Sequence, residues 1–325
     1  MKLPEDFETF YEKLVLGKTQ TDRIQSAANT LGGFLAEHFG LKVGDDIFLQ
    51  GSFPNGTAVR PDPERQGGEY DVDLVALSAL PHDSPENAIQ TMEQALKEHG
   101  TYKGMIDRDG SRPCVRIRYA EENGGGFHVD IVPGRRCDGP APIEIPLPGK
   151  GWRESAPAEY TEWCQSLGPE FARTVQMLKR WRDHNQTARQ AIKSIVLQVL
   201  ISECLAYFDN DAERVTDTFL GLASKLAEHP DQPPPVLNPV LPSENLADRW
   251  DASAYQDFRK VVDEAAYTAQ AALSSGDLNE SRRLWRELFG RDFPGPQRNE
   301  GPFTPPPPIP GTQKQPQRAP RVEWG

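Results

Sequence analysis

Apolar positions recur along this chain with two periods, and the change from one to the other divides it. From Asp22 to Phe39 the residues Ile24, Ala27, Ala28, Leu31, Leu35 and Phe39 fall on one helical face, and Gly40 ends the run. Phe7 to Leu16 reads as a shorter helix before it. Strand-like runs come next near residues 46–50, 70–78, 102–107, 113–119 and 127–132, with a helix around Pro85 to His99 between them. From about Pro157 the pattern is helical again. Phe171, Val175 and Leu178 form a stripe on a helix from about Pro169 to His184, and Ala191 to Leu205 is apolar on almost every side. Tyr255 to Leu273 and Leu278 to Phe289 close the helical part. Pro230 to Pro242 holds six prolines and cannot be helix throughout. The predicted class is α+β: a sheet lobe over residues 1–168 with the long helix as its spine, packed on a helical lobe over 169–295. Residues 296–325 carry nine prolines and few apolar side chains, so an extended, poorly ordered tail is expected.

Candidate chemistry gathers on the strands. In Tyr70-Asp71-Val72-Asp73-Leu74-Val75, alternation sends Asp71 and Asp73 to one face, roughly 6 to 7 Å apart, and Val72, Leu74 and Ala76 to a core. Asp130 sits between Val129 and Ile131 on a later strand and joins them if the two strands pair. Three carboxylates in a partly buried place need a cation or must take up protons. Magnesium suits such oxygen ligands, and a pair of ions can hold both oxygens of an in-line displacement at phosphorus. Taken alone, Asp-x-Asp in a chain with 48 acidic residues better suits a solvated strand, and the Gly-Ser turn about twenty residues earlier changes that balance.

The turn Gly51-Ser52-Phe53-Pro54-Asn55-Gly56-Thr57, entered from Gln50, offers successive backbone amides and a hydroxyl for an anion, or is a tight turn without a ligand. There is no Gly-Lys-Ser/Thr and no strand–G-x-G-x-x-G–helix, so P-loop and Rossmann chemistry lose their sequence support.

In this order, Gly51-Ser52, Gly56-Thr57, Asp71-x-Asp73 and Asp130 resemble the polymerase-beta-like nucleotidyltransferases. Within them the chain looks like the bacterial cyclic GMP-AMP synthase-like (DncV-like) enzymes, the CD-NTases of CBASS anti-phage signalling. Met177 to Trp181, Ile192 to Leu197, Asn238-Pro239-Val240-Leu241-Pro242 with Glu244 to Ala247, and Trp285 before Leu288-Phe289-Gly290 add to the likeness, which covers about residues 5–295. The resemblance implies nucleotidyl transfer between nucleoside triphosphates, release of pyrophosphate, and a cyclic di- or trinucleotide messenger. It implies that Asp71, Asp73 and Asp130 hold two magnesium ions, with manganese as a substitute. Gln50, Gly51 and Ser52 would meet the donor triphosphate, and Lys179 and Ser194 would reach it from the helical lobe. The residues leave alternatives open: Lys179 also suits a solvated lysine, and Ser194 a helix cap. The core motif also suits a transferase making a linear product or modifying RNA or protein, and a non-catalytic nucleotide-binding scaffold. By the same resemblance, a ubiquitin-transfer-like partner would join the terminal Gly325 to a target.

Composition narrows the partners. With 325 residues, 37% apolar and 26% charged, the chain is long enough for two cores. A net charge of −12 opposes a constitutive nucleic-acid partner. Arg112, Arg116, Arg118, Arg135 and Arg136 are local exceptions; Arg116 and Arg118 share a strand face, either solvated or lining the nucleotide cleft. The four cysteines show no C-x-x-C pair and read as reduced thiols. His128 shares a face with Asp130 and reads as a supporting or core histidine ahead of a ligand. No signal peptide and no apolar run of transmembrane length is visible, so a cytoplasmic protein without a membrane partner is expected.

Overall fold

The computed structural model describes residues 1–61, 69–77, 84–107, 113–120, 126–137, 139 and 141–297. Arg112, Gly325 and the Pro-rich stretch from residue 298 onward lie outside the described residues.

Helix α1 (Pro4–Leu14) begins with a proline in its first turn and buries Phe7, Phe10 and Leu14. The spine, α2 (Lys18–Phe39), lays Ile24, Ala28, Leu31 and Leu35 against the sheet and stops at Gly40, whose φ of 68° is the left-handed terminator a glycine supplies. Then come β1 (Ile47–Gln50), β2 (Tyr70–Leu77), α3 (Pro85–Glu98), β3 (Ile106–Asp107), β4 (Val115–Tyr119) and β5 (Phe127–Arg136). Helix α3 is capped by Ser84, whose hydroxyl accepts from the Asn87 amide at 3.1 Å. The strand expected over 102–107 is a single 3-10 turn at Tyr102–Gly104 and then the two residues of β3.

Sheet order is β1-β2-β5-β4-β3, with β2 and β5 parallel and the other neighbours antiparallel. Beyond the predicted end of β5 the strand runs on to Arg136 and pairs with β6 (Ile143–Leu147), which pairs with β7 (Gly151–Ser155). Sequence reading missed both: Ile143 to Leu147 alternates but is interrupted by Pro146, and Gly151 to Ser155 holds a single large apolar residue, Trp152. They matter to the site: Val75 and Leu77, on the same face of β2 as Asp71 and Asp73, are covered by Ile143 of β6. That face is therefore open only toward the start of β2.

The helical part comprises α4 (Pro157–Ser166), α5 (Gly168–His184), α6 (Gln186–Ala191), α7 (Ser194–Cys204), α8 (Asp211–Ala227), α9 (Ala252–Ser274) and α10 (Leu278–Phe289). The proline-rich segment holds the short ribbon β8 (Leu237–Asn238) with β9 (Leu241–Asn245). Two main cores result. One joins α2 to the sheet through Leu31, Val72, Leu74, Ile117 and Val129. The other fills the helical part around Trp181, Phe219, Phe258 and Trp285. Phe7 and Phe10 of α1 belong to this second core, with Phe7 edge-on to Trp285 at 5.0 Å, as do Tyr160 and Cys164 of α4. A division at residue 168 thus divides the chain and not the cores, because the first helix of the chain packs with the last.

Among the described residues, no helix is long and apolar enough to cross a membrane.

Candidate active site

The parallel pairing of β2 with β5 sets Asp73 opposite Asp130 and Asp71 opposite His128. Asp130 is buried, at 8% exposure, while Asp71 is open to the cleft. From β4, in register with Asp130, Arg116 donates through Nε and Nη2 to the two oxygens of Asp130, each at 2.6 Å, and its Nη2 lies 3.9 Å from Asp71. His128 places Nε2 2.8 Å from Asp71 Oδ1 and Nδ1 3.2 Å from Glu69 Oε2. Asp71, His128 and Asp130 each present a ligand atom within 4.8 Å of the others. Arg116 is therefore part of the site. Arg118 pairs with Asp107 at 3.1 Å and lies 3.7 Å from Glu69, the carboxylate on His128, whereas Arg135 and Arg136 pair with Glu144 and Asp46 at 2.5 and 2.8 Å, away from the triad.

The electrostatics arise from crowding. Burial first, then the Asp71 and Asp130 carboxylates, push Asp73 up to about 7. Contact with His128 holds Asp71 below the usual carboxylate range. Burial pulls the His128 imidazole down, but Asp71 more than offsets it and the net shift is upward. A carboxyl pushed up toward neutrality marks a site short of positive charge. The donor atoms that stand together, of Asp71, Asp130 and His128, fit a divalent cation, and Asp73 is not among them.

Asp73 also explains the glycine of the turn. Gln50 pairs with Asp73 across β1 and β2, so the chain leaving β1 passes directly over that carboxylate. A Cβ at Gly51 would lie 2.4 Å from Asp73 Oδ2, and Gly51 holds φ at 78°. Steric room and backbone conformation both demand glycine here.

Helices of the other core grip the segment after the turn. On α5, Lys179 Nζ donates to the Thr57 carbonyl at 2.8 Å, Gln176 to Ala58 at 2.9 Å and Arg180 to Arg60 at 2.9 Å. On α4, Thr161 donates to Asn55 Oδ1 at 2.6 Å and Gln165 to the Pro54 carbonyl at 3.0 Å. Lys179 is thus a buried residue lining the cleft and tied to the turn, not a solvated one. Burial, and secondarily Arg182, bring it down to about 8. The helix predicted over 191–205 is α7; Ala191 ends α6, Ile192 and Lys193 separate the two, and α7 starts three residues later than predicted, at Ser194. Its hydroxyl accepts from Arg182 and caps nothing, which removes the capping alternative.

A cavity of about 970 Å³ gathers Gln50, Gly51, Ser52, Asp71, Asp73, Lys179 and Ser194 on its wall. Asp130 stands just behind, reaching the cluster through Asp71 and its register with Asp73. The wall also includes Arg60, Arg153, Arg182, Arg189, Asn238 and Glu244. Of these, Arg182 was legible as the residue one turn after Lys179 on the same helix; Arg153 lay on an unforeseen strand, and Asn238 and Glu244 had been noticed without a role.

A mixed sheet whose two parallel central strands carry acidic residues beside a Gly-Ser turn defines a nucleotidyltransferase of the polymerase-beta-like architecture. The chain belongs to the family of the Second Messenger Oligonucleotide or Dinucleotide Synthetase domain, whose profile matches residues 1–167. It is 27% identical to the c-di-GMP synthase of Roseivirga ehrenbergii, over 90% of this chain and 85% of that one. It is likewise 27% identical to the cyclic AMP-AMP-AMP synthase of an Acinetobacter species, over 85% and 81%. In fold it is similar to the CD-NTase CdnG of Bradyrhizobium diazoefficiens, solved in complex with GTP, with a TM-score of 0.72 at 18% identity over 89% and 95% of the two chains.

This geometry makes two outcomes expected. Gly51→Ala should cut turnover by at least about a hundredfold, because the methyl displaces the Asp73 carboxylate; circular dichroism melting checks that the fold persists. Asp73, raised to about 7 from 3.8, contributes stability that is present below about pH 4 and lost as pH rises through 7. Magnesium takes the carboxylate form, so its binding should release about one proton per protein at pH 6 and almost none at pH 8.5. Calorimetry in buffers of different ionisation enthalpy reads this, and Asp73→Asn should abolish the difference.

Proposed function

We propose that the chain joins nucleoside triphosphates into a cyclic di- or trinucleotide second messenger, releasing pyrophosphate, in bacterial CBASS anti-phage signalling. The observation that carries this reading is the placing of Asp71 and Asp73 on the wall of one cavity with the Gly51-Ser52 turn, Lys179 and Ser194. The names of the two synthases and the GTP bound to CdnG support the substrate class and the product class.

In this reading the donor triphosphate lies on the Gly51 and Ser52 backbone, with Gln50 beside it and Lys179 and Ser194 facing it from the helical side. Asp71, Asp73 and Asp130 would hold two magnesium ions, which would supply charge neutralisation and ease loss of the hydroxyl proton. The ribose hydroxyl oxygen of the second nucleotide forms a bond to the α-phosphorus, the α–β bridging P–O bond breaks, and pyrophosphate leaves with its electron pair. The hydroxyl proton passes to solvent. A second transfer of the same kind within the linear product closes the ring. His128 orients Asp71 through Nε2 while Glu69 fixes the ring from the other side, and Arg116 aligns Asp130. Each does so by a contact already in place, which lowers the reorganisation the reaction requires.

Purified protein given all four nucleoside triphosphates and magnesium, then phosphatase, should yield a resistant product whose mass lacks terminal phosphates. Asp71→Ala and Asp73→Ala should lower its formation by about a thousandfold or more while the protein stays folded. Linear oligomers would point to the related linear transferases, and full activity in the double substitution would refute the site.

A further inference from the structure

Cations on the cavity wall are unequal in their partners. Lys179 donates to the Thr57 carbonyl, Arg182 to Asp183 at 2.9 Å, and Arg153 lies 3.7 Å from Glu244. Arg189, on α6 close to Ser194, is exposed and has no acidic partner among the described residues. Arg60 also lacks one among the described residues, yet its position is far more constrained. Its amide donates to the Leu14 carbonyl at 2.8 Å, and its own carbonyl accepts from Arg180 at 2.9 Å. Backbone placement is thus set by both α1 and α5.

The Arg60 side chain extends over Gly17, where a Cβ would come within 3.2 Å of its Nη2. Its Nε is shut off from solvent and has no hydrogen-bond partner among the described residues. Nearby is Tyr70, the residue ahead of Asp71, whose hydroxyl accepts from Gln20 at 2.6 Å and whose ionisation Arg60 favours. A guanidinium on a cavity wall, carried by backbone tied to both α1 and α5 and without an acidic partner among the described residues, has its charge left for a ligand anion to meet. Gly17 adds to the deficit of negative charge: it precedes the 22 residues of α2, whose first turn contains no acidic residue.

We propose that Arg60 is the phosphate anchor of the second nucleotide, the one that supplies the attacking hydroxyl. The proposal rests on the transfer reading above and names a ligand for a residue that reading does not use. In-line displacement places the attacking oxygen and the departing pyrophosphate on opposite sides of the α-phosphorus. The phosphates of the attacking nucleotide therefore cannot share the Ser52, Lys179 and Ser194 pocket and need a cation of their own. Arg60 stands at the root of β2 beside Tyr70, on the chain leading into Asp71, and a guanidinium is suited to bidentate phosphate binding. The ligand class is the 5′-triphosphate of a nucleotide or of a linear intermediate.

Calorimetric titration with an α,β-methylene nucleoside triphosphate and magnesium tests this without turnover. Wild type should take up two equivalents. Arg60→Gln should keep the first and bind the second at least about tenfold more weakly, with Arg60→Lys between them. In the transfer assay, wild type should prefer a triphosphorylated acceptor to the corresponding nucleoside, and Arg60→Gln should lose at least about tenfold of that preference through KM. Uptake of two equivalents with equal affinity by wild type and Arg60→Gln overturns the proposal, as does a single equivalent in wild type. A wild type that binds two equivalents, loses the second in Arg60→Gln, and transfers nothing refutes the transfer reading and leaves the Arg60 site standing.

Discussion

Repulsion among carboxylates on two adjacent parallel strands is the constraint on which the rest of the structure turns. Asp73 and Asp130 stand opposite one another, with Asp71 one step along the same face, and backbone pairing does nothing to relieve the charge. The fold answers by bringing Arg116 from the next strand onto Asp130 and His128 onto Asp71. Asp73 receives no such partner among the described residues, and burial with the neighbouring carboxylates pushes it up to about 7. The arrangement is unfavourable for a metal-free core and favourable for a cation site, the sense in which functional sites depart from the choices folding alone would select.

Position of the turn is set by the same strand. Because β1 pairs with β2 through Gln50 and Asp73, the chain leaving β1 has to clear the carboxylate, and only a glycine does so. The segment after Gly51 has no sheet to support it. Its backbone carbonyls are taken up by Gln176, Lys179 and Arg180 of α5, and its Asn55 by Thr161 of α4. These bonds join the helical core to the strand that carries the aspartates. The alignment of the two walls of the cavity thus depends on polar contacts to about ten residues of loop. A donor phosphate held by the turn would touch a segment whose position both cores determine.

Much of this was legible in the sequence because it rests on local patterns. Period-two alternation set Asp71 and Asp73 on one face, and period-three-to-four spacing found the spine from Ile24 to Leu35. The pairing of Asp130 with that face needed only the parallel neighbour that the strand carrying it became. Tertiary contacts were not legible. Nothing in the spacing of Arg116 says that it would hold Asp130 and not face water, and no local signal distinguishes it from Arg118, which goes to Asp107. Lys179 was visible as a border residue, but its tie to the Thr57 carbonyl spans 122 positions. Strand β6 was missed because Pro146 interrupts its alternation, and β7 because it has no amphipathic pattern of its own and is held by pairing with β6. Arg60 sat unremarked within a loop, since its meaning lies in its surroundings.

The central claim, that the carboxylates of β2 and β5 hold the ions that serve phosphoryl chemistry, is tested most directly by locating an ion. Crystals grown with manganese and an α,β-methylene nucleoside triphosphate would be measured at the manganese absorption edge. The account predicts anomalous density among Asp71, Asp73 and Asp130, with the triphosphate on the Gly51-Ser52 turn. Manganese bound only elsewhere, with Asp130 still engaged by Arg116 and Asp71 by His128 and the nucleotide away from the turn, would contradict it.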